Sequence, residues 1–421
     1  MKFSTMHSGH ILGAALAILL PLSVFSPKAI VSVFIVSSIV IYFFEFRQTR
    51  GWPFLPTPLL GLLGGILLLG GISLLWSLSK VDAFGKFGQL VGLFSAGLFL
   101  SSSIIHLSRQ QRHSVENGLL AGLALTLSLI AIEIIGNAPL AKMINSQAFY
   151  GQTREAFAFY GMWFLKNSAT LLAIFVWPCV AMLAQRFGLL AAFGGLLIVG
   201  MEVYFVRSST SILAFAAGVC VFLPSLRWPR KIVTAMTFGA VLVIMTMPLL
   251  PRLLQYSDRL SKTTIEHTNS LHHRLTIWSF VAEKIAEKPI LGWGLDSSRH
   301  IPGGKEVSPV FHDMPDGTKF ILSSEEKLPL HPHNGFLQLW LELGAFGAIL
   351  GAALVAYVIR KAGAVTQPGL PRAATLAAIS STLVVLSLSY GLWQSWWISA
   401  LWLLVATLIA ITGQAKKEVS S

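Results

Sequence analysis

The sharpest chemical constellation in the chain is His331-Pro-His-Asn-Gly335, which runs directly into Phe336-Leu-Gln-Leu-Trp-Leu-Glu-Leu-Gly344. Asn334 has the chemistry of a helix N-cap, and Gly335 lets the chain enter the helix closely. Open N–H groups and the dipole at such a helix start favour an anion. His333 stands beside it, and an imidazole with an ordinary pKa near ~6.5 accepts a proton at neutral pH. One short motif therefore offers a base next to an anion pocket. The same residues also read as two loop histidines ahead of an Asn-capped helix, and the pattern alone leaves both readings open.

An anion pocket needs cations, and several stand near polar residues. Arg274 lies in residues 271–285, where Leu271, Leu275, Trp278, Ala282 and Ile285 recur at helical spacing before Pro289. This predicts an amphipathic helix on a membrane face or at the mouth of a bundle, with Arg274 directed at lipid phosphates or at a ligand. Arg207 precedes Ser208-Ser-Thr-Ser211 and reads as an interface anchor or as a second cation. Lys166-Asn167 opens another apolar run, with Arg154 upstream. In Pro289-Ile-Leu-Gly-Trp-Gly-Leu-Asp296 two glycines bracket Trp293, giving either a tight turn with a packed indole or an aromatic edge suited to a sugar face. His331 with His333, or His272 with His273, would be imidazole ligands for a metal. There is no HExxH and no Cys/His cluster, so no metal site is assigned. Cys179 and Cys220 lie in apolar runs without CxxC spacing and read as packing residues.

The elements that must hold these residues are apolar. Of 421 residues 54% are apolar and only 12% charged, which excludes an ordinary soluble enzyme, a disordered chain and a disulfide scaffold. Twelve runs have spanning character, near 11–25, 29–46, 59–78, 87–107, 115–135, 169–184, 187–205, 211–226, 232–250, 336–357, 373–392 and 396–412. No small-residue cleavage site follows the first run, which reads as a retained helix. With the N-terminus in the cytoplasm, cytoplasmic segments carry Lys2, Arg47, Arg50, Arg109, Arg112, Arg186, Arg227, Arg230, Lys231, Arg360, Lys361, Arg372, Lys416 and Lys417. Short links on the other side carry only Lys28, Lys80 and Lys86. The bias predicts both termini inside, and topology accounts for much of the net charge of +13 without nucleic acid. Residues 1–250 would hold nine spans and an outer loop near 136–168. Residues 251–335 form one large outer loop, and 336–421 hold three more spans. The large loop carries seven of the eleven histidines, and long loops of this kind carry function. Glu133 and Glu202 lie inside spans, where a charge costs roughly 2.5–3.5 kcal/mol and marks a function or a partner.

Several segments together resemble the O-antigen ligase and polymerase superfamily of bacterial inner-membrane glycosyltransferases. They are Arg274-Leu-Thr-Ile-Trp278, Glu287-Lys-Pro-Ile-Leu-Gly-Trp-Gly294, His333-Asn334 with Leu337-Gln338, and Leu341-Glu-Leu-Gly344 with Gly347. The likeness covers about residues 162–350; the first five spans agree only in hydropathy. It implies an all-α polytopic membrane protein of about 12 transmembrane helices. That would be a GT-C-like glycosyltransferase bundle, with a large periplasmic loop containing amphipathic helices. The donor implied is a glycan on undecaprenyl pyrophosphate. The acceptor would be a sugar hydroxyl of lipid A–core for a ligase, or a growing polysaccharide for a polymerase; a protein acceptor is a third option. No metal or other cofactor is implied, and the remaining partners are membrane lipids. By the same resemblance His333 is the base and Arg274 a pyrophosphate-binding cation. Arg207 is the nearest further cation, although the family often has a Ser-Arg pair where this chain has Arg207-Ser208. Substrate contacts are expected from Asn334, His331, Trp278, Trp293, Arg154, Lys166, Asn167 and Gln338, and inversion at the anomeric carbon. A non-enzymatic transporter would instead place ionisable groups within its spans.

Overall fold

The computed structural model describes residues 7–49, 57–105, 107–144, 162–251, 253, 269–313, 319–365 and 367–412. Its helices are α1 (Ser8–Phe25), α2 (Ile30–Thr49), α3 (Thr57–Ser73), α4 (Lys80–Ile104), α5 (Arg109–Gly136), the short α6 (Pro139–Ile144), α7 (Lys166–Phe187), α8 (Leu189–Val206), α9 (Ser209–Arg227) and α10 (Pro229–Thr246). Then come α11 (Asn269–Glu287), a hairpin of β1 (Val307–Asp313) and β2 (Lys319–Glu326), and α12 (Gly335–Val365), α13 (Leu370–Leu388) and α14 (Ser395–Thr412). Among the described residues eleven helical segments are long and apolar enough to cross a membrane. The remaining run, the third, gives α3, whose 17 residues lie at the short end of the spanning range. The chain is an all-α polytopic membrane protein, with one helix for each apolar run.

Several runs end before their expected residues, and two of these ends lie beside a tertiary hydrogen bond. The third was expected to reach residue 78, but α3 ends at Ser73, whose hydroxyl accepts from the Leu295 amide at 3.0 Å. The eleventh was expected to reach 392, but α13 ends at Leu388, and the Leu392 amide donates to Gln338 Oε1 at 2.7 Å. At α13 a tertiary partner thus takes a backbone amide that another helical turn would have used, whereas the amides after Ser73 close local turns, Leu74 on the Gly71 carbonyl at 3.2 Å and Leu75 on the Ile72 carbonyl at 3.1 Å. The hairpin was not foreseen. It is antiparallel, running from Val307 opposite Glu326 to Asp313 opposite Lys319, with an irregularity between Val310 and Phe311. Pro309 interrupts the alternation that would have marked β1.

Helix α7 forms the centre. It is buried from Ser168 through Met182, as expected of a helix apolar all round, and its Trp177 indole donates to Ser381 Oγ of α13 at 2.9 Å. Helices α1 and α5 cross at Gly9, Gly13, Gly118 and Gly122, where a Cβ on any of the four would strike the opposite backbone. Two Gly-xxx-Gly pairs thus let the backbones touch. Glu133 is fully buried, and its carboxylate accepts from the Leu140 and Ala141 amides at 3.1 and 3.2 Å. That carboxylate caps α6.

The end of the bundle where α7, α9, α12 and α14 begin, and where α3, α10 and α13 finish, collects the polar residues. Helix α11 closes over it. Its Ile277, Trp278, Val281 and Ile285 are buried in one cluster with Met247, Leu337 and Leu341. The predicted amphipathic helix therefore packs on the bundle mouth.

Candidate functional site

The turn from His331 to Asn334 is tied down at each residue. Asn334 Oδ1 accepts from the amides of Phe336 and Leu337, both at 3.0 Å, so Asn334 is the cap its sequence position predicted. The Trp278 indole donates to the Pro332 carbonyl at 2.9 Å. The His333 amide donates to His331 Nδ1 at 3.1 Å. These bonds hold His333 at φ +53°, a left-handed conformation that costs a non-glycine residue roughly 1–2 kcal/mol. His333 Nδ1 lies 3.1 Å from the Ser389 carbonyl. A carbonyl only accepts, so Nδ1 carries the proton and Nε2 keeps its lone pair. Burial pushes the His333 pKa down, the Ser389 bond opposes this, and the charges of Arg274 and His273 add to the fall. The imidazole is neutral at pH 7, with one basic nitrogen fixed in direction. His331 is buried more deeply, and burial first, then His333 and Arg299, push its pKa down to about 3.

The cations come from α11 and the starts of α7 and α9. Arg274 is half-buried, and its Nη2 lies 3.4 Å from Thr210 Oγ1, a long bond that leaves the donor able to serve a closer acceptor. Its neighbour His273 meets the His333 ring edge to face, with centroids 6.4 Å apart. Lys166 is exposed at the first turn of α7, within electrostatic reach of Arg274. Hydroxyls link the two helix starts. Ser208 Oγ caps the Ser211 amide at 3.4 Å, and Ser211 Oγ lies 3.1 Å from Thr170 Oγ1. The Tyr390 hydroxyl donates to Asn167 Oδ1 at 2.8 Å, and burial pushes its pKa up to about 12. Arg207 is exposed in the left-handed turn between α8 and α9 (φ +58°). Arg154 lies outside the described residues.

The Gly-Trp-Gly and Glu-Leu-Gly segments, distant in sequence, lock into each other. Helix α12 is broken at Gly344 (φ +62°, ψ −157°), and the loop enters the break. The amides of Trp293 and Gly294 donate to the Leu341 and Glu342 carbonyls at 2.8 Å each, and the Ala345 amide donates to the Pro289 carbonyl at 2.9 Å. A Cβ at Gly292 would strike the Glu342 backbone, and one at Gly344 the Ile290 carbonyl. This interlock is what the spacing encodes. A sequence profile described as O-antigen ligase matches residues 194–352, a range that includes Arg207, Arg274, both locked segments and His333. The curated relatives include proteins named "Putative polysaccharide ligase" from Rickettsia. The one from Rickettsia felis is 29% identical over 345 residues, 79% of this chain and 76% of the relative. Those from Rickettsia conorii and Rickettsia prowazekii are 28% identical over 339 residues and 27% over 335, with 79% of this chain covered and 75% and 76% of the relatives. These likenesses support an O-antigen ligase-like superfamily.

Several expectations change once this ligase-like site is seen whole. The start of α12 was expected to be an open anion pocket, but Asn334 already fills the Phe336 and Leu337 donors. The groups able to meet an anion are those around Arg274. Trp293 is 8% exposed, its N–H donates to the Lys284 carbonyl at 2.8 Å, and Lys288 Nζ sits 4.0 Å over its ring. Of the two alternatives, this is the packed indole. Trp278 is likewise buried and supports the Pro332 turn. Both ends of the Gln338 amide are engaged, by Glu342 Oε1 at 3.0 Å and by the Leu392 amide. His331 uses Nδ1 on His333 and turns Nε2 towards Gln394 at 3.2 Å, so neither nitrogen is left open to a metal.

Sequence reasoning missed Glu342, Ser389, Tyr390 and Gln394. Only Glu342 carried a usable signal, a carboxylate inside an apolar run. It is fully buried and accepts from the Asp296 amide (2.7 Å), Ser298 Oγ (2.5 Å), Gln338 Nε2 (3.0 Å) and Trp393 Nε1 (2.7 Å). The interlock makes a sharp prediction. Gly344→Ala combines a backbone conformation open almost only to glycine, worth about 1–3 kcal/mol, with a clash against Ile290. The expected result is a lower melting temperature in detergent and loss of function; a variant as stable as the parent would show that the break is not required.

Proposed function

We propose that the protein is a glycosyltransferase of the O-antigen ligase type. It moves a glycan from undecaprenyl pyrophosphate to a sugar hydroxyl of lipid A–core at the periplasmic face of a bacterial inner membrane. The observation that carries this reading is a neutral His333 whose Nδ1 is fixed to a carbonyl, beside Arg274, at one mouth of a membrane bundle. In the reaction His333 Nε2 takes the proton of the acceptor hydroxyl. The new bond forms between that oxygen and the anomeric carbon. The bond from this carbon to the pyrophosphate oxygen breaks, and its electron pair leaves on the pyrophosphate. Arg274, with Lys166 and Arg207 near the same mouth, meets the growing charge. A guanidinium suits phosphate oxygens because its planar fork binds two at once. The proton passes from His333 to solvent, and a single displacement inverts the anomeric centre. The donor enters sideways from the bilayer, which explains why the site lies at the end of a helical bundle. Glu133, used here as a helix cap, gives the transporter alternative little support.

Deletion of the gene tests the assignment. A ligase deletion leaves polymer on the lipid carrier and bare core on gels, whereas single repeat units on the core would identify a polymerase. Transfer by the purified protein should survive EDTA; abolished transfer restored by added metal would overturn the metal-free chemistry.

A further inference from the structure

The link between α13 and α14, residues 389–394, lies outside every segment that suggested a function, yet it touches both halves of the site. Ser389 offers its carbonyl to His333 Nδ1. Tyr390 bonds Asn167 at the start of α7, next to Lys166. Gly391 packs under His331, where a Cβ would lie 3.0 Å from ring atoms Cγ and Cδ2. Gln394 places its side-chain amide nitrogen 3.2 Å from His331 Nε2. On its other side the link is fastened to α12, through the Leu392 amide on Gln338 and the Trp393 indole on Glu342.

We propose that this link positions the base, and that Gln394 is its key residue. Gln394 accepts a hydrogen bond from His331, which in turn holds the His333 backbone. The direction of that bond follows from proton inventory. His331 Nδ1 already accepts from the His333 amide, so a neutral ring carries its proton on Nε2. An Nε2–H needs an acceptor, and the Gln394 amide supplies one when it is turned over, so that its carbonyl oxygen takes the place of its nitrogen opposite the ring. The same orientation gives a partner to Gln394 Oε1, which is otherwise a buried oxygen without one. The chain from Gln394 through His331 to the His333 amide then has a donor and an acceptor at every step. It ends at the residue held in a left-handed conformation, and the Ser389 carbonyl fixes the ring of that residue from the same link. Gln394 never touches a substrate; it acts through His331.

This inference rests on His333 being the base, and the test separates the two. Gln394→Met keeps the size and removes the acceptor, whereas Gln394→Glu keeps an acceptor. Transfer is measured with the purified full-length protein, using undecaprenyl-pyrophosphate-linked O-antigen as donor and lipid A–core as acceptor. Gln394→Met is expected to lower kcat about tenfold, as loss of an orienting partner does, with KM for the donor unchanged. Gln394→Glu should stay near the parent rate. Gly391→Ala, whose added Cβ would press on the His331 ring, should show the same fall in kcat at constant KM and serves if Gln394→Met does not fold. A parent-like kcat in Gln394→Met, or an equal loss in the Glu variant, overturns the role of Gln394. A His333→Ala protein that transfers at the parent rate overturns the base assignment instead.

Discussion

Replacing His333 with alanine should lower the rate of glycan transfer by about 10²–10⁴-fold, the usual contribution of a positioned base, while undecaprenyl pyrophosphate still binds. The split follows from the geometry. His333 is bonded through Nδ1 to Ser389 and through its amide to His331, so its remaining nitrogen is the group left to meet a hydroxyl. The pH dependence has a definite sign. The base works only when neutral, and burial holds its pKa below the ordinary value near ~6.5. The rate should therefore be flat above neutrality and fall only as pH drops through that depressed pKa. Arg274 contributes to the depression. In an Arg274 variant without charge, the acidic limb should move up towards the ordinary histidine value. A pH–rate profile of the parent and of the Arg274 variant checks this; an acidic limb that stays in place after loss of Arg274 would show that the two groups are not coupled.

The sequence exposed the fold more fully than the site. Hydropathy located all twelve apolar helices because a span must satisfy its own backbone and therefore reads as one continuous run. Past the missed end at Leu388 the Gln338 side chain captures the Leu392 amide, and at the missed end of α3 the Ser73 hydroxyl takes the distant Leu295 amide; no local pattern announces either. His333, Asn334 and Arg274 could be singled out because histidine, a capping residue and an arginine on an amphipathic helix each carry a local signature. Trp293 and Gln338 were expected to meet substrate. A sequence position does not say whether an aromatic ring or an amide is spent inside the protein, and here both are. Gln394 and Ser389 carried no signature at all. One is a common amide, and the other contributes through its carbonyl, which every residue has. Gly344 lay between, since its place in the motif was visible but not the break in α12 that makes it necessary.

Arg274→Ala should have the second large effect, of a different kind from His333→Ala. Removing one charge-stabilising donor at a reacting oxygen typically costs about 10²–10³-fold in rate. A guanidinium that also binds the ground-state pyrophosphate should weaken donor binding as well. Both kcat and the affinity for undecaprenyl pyrophosphate are therefore expected to fall. Lysine should restore only part of the loss, because an ammonium keeps the charge but lacks the two-pronged fork. Lys166 is the control. It is exposed, so water and salt screen it, and Lys166→Ala should cost far less than Arg274→Ala, with an effect that shrinks as salt rises. Arg274 is half-buried over α9 beside Thr210, and its contribution should persist in the same salt. Titrating undecaprenyl pyrophosphate into the three proteins at two ionic strengths separates these cases. If Arg274→Ala binds as tightly as the parent at both, the phosphate-binding cation must be sought elsewhere, and Arg207, directly before the same hydroxyl cluster, would be the residue to replace next.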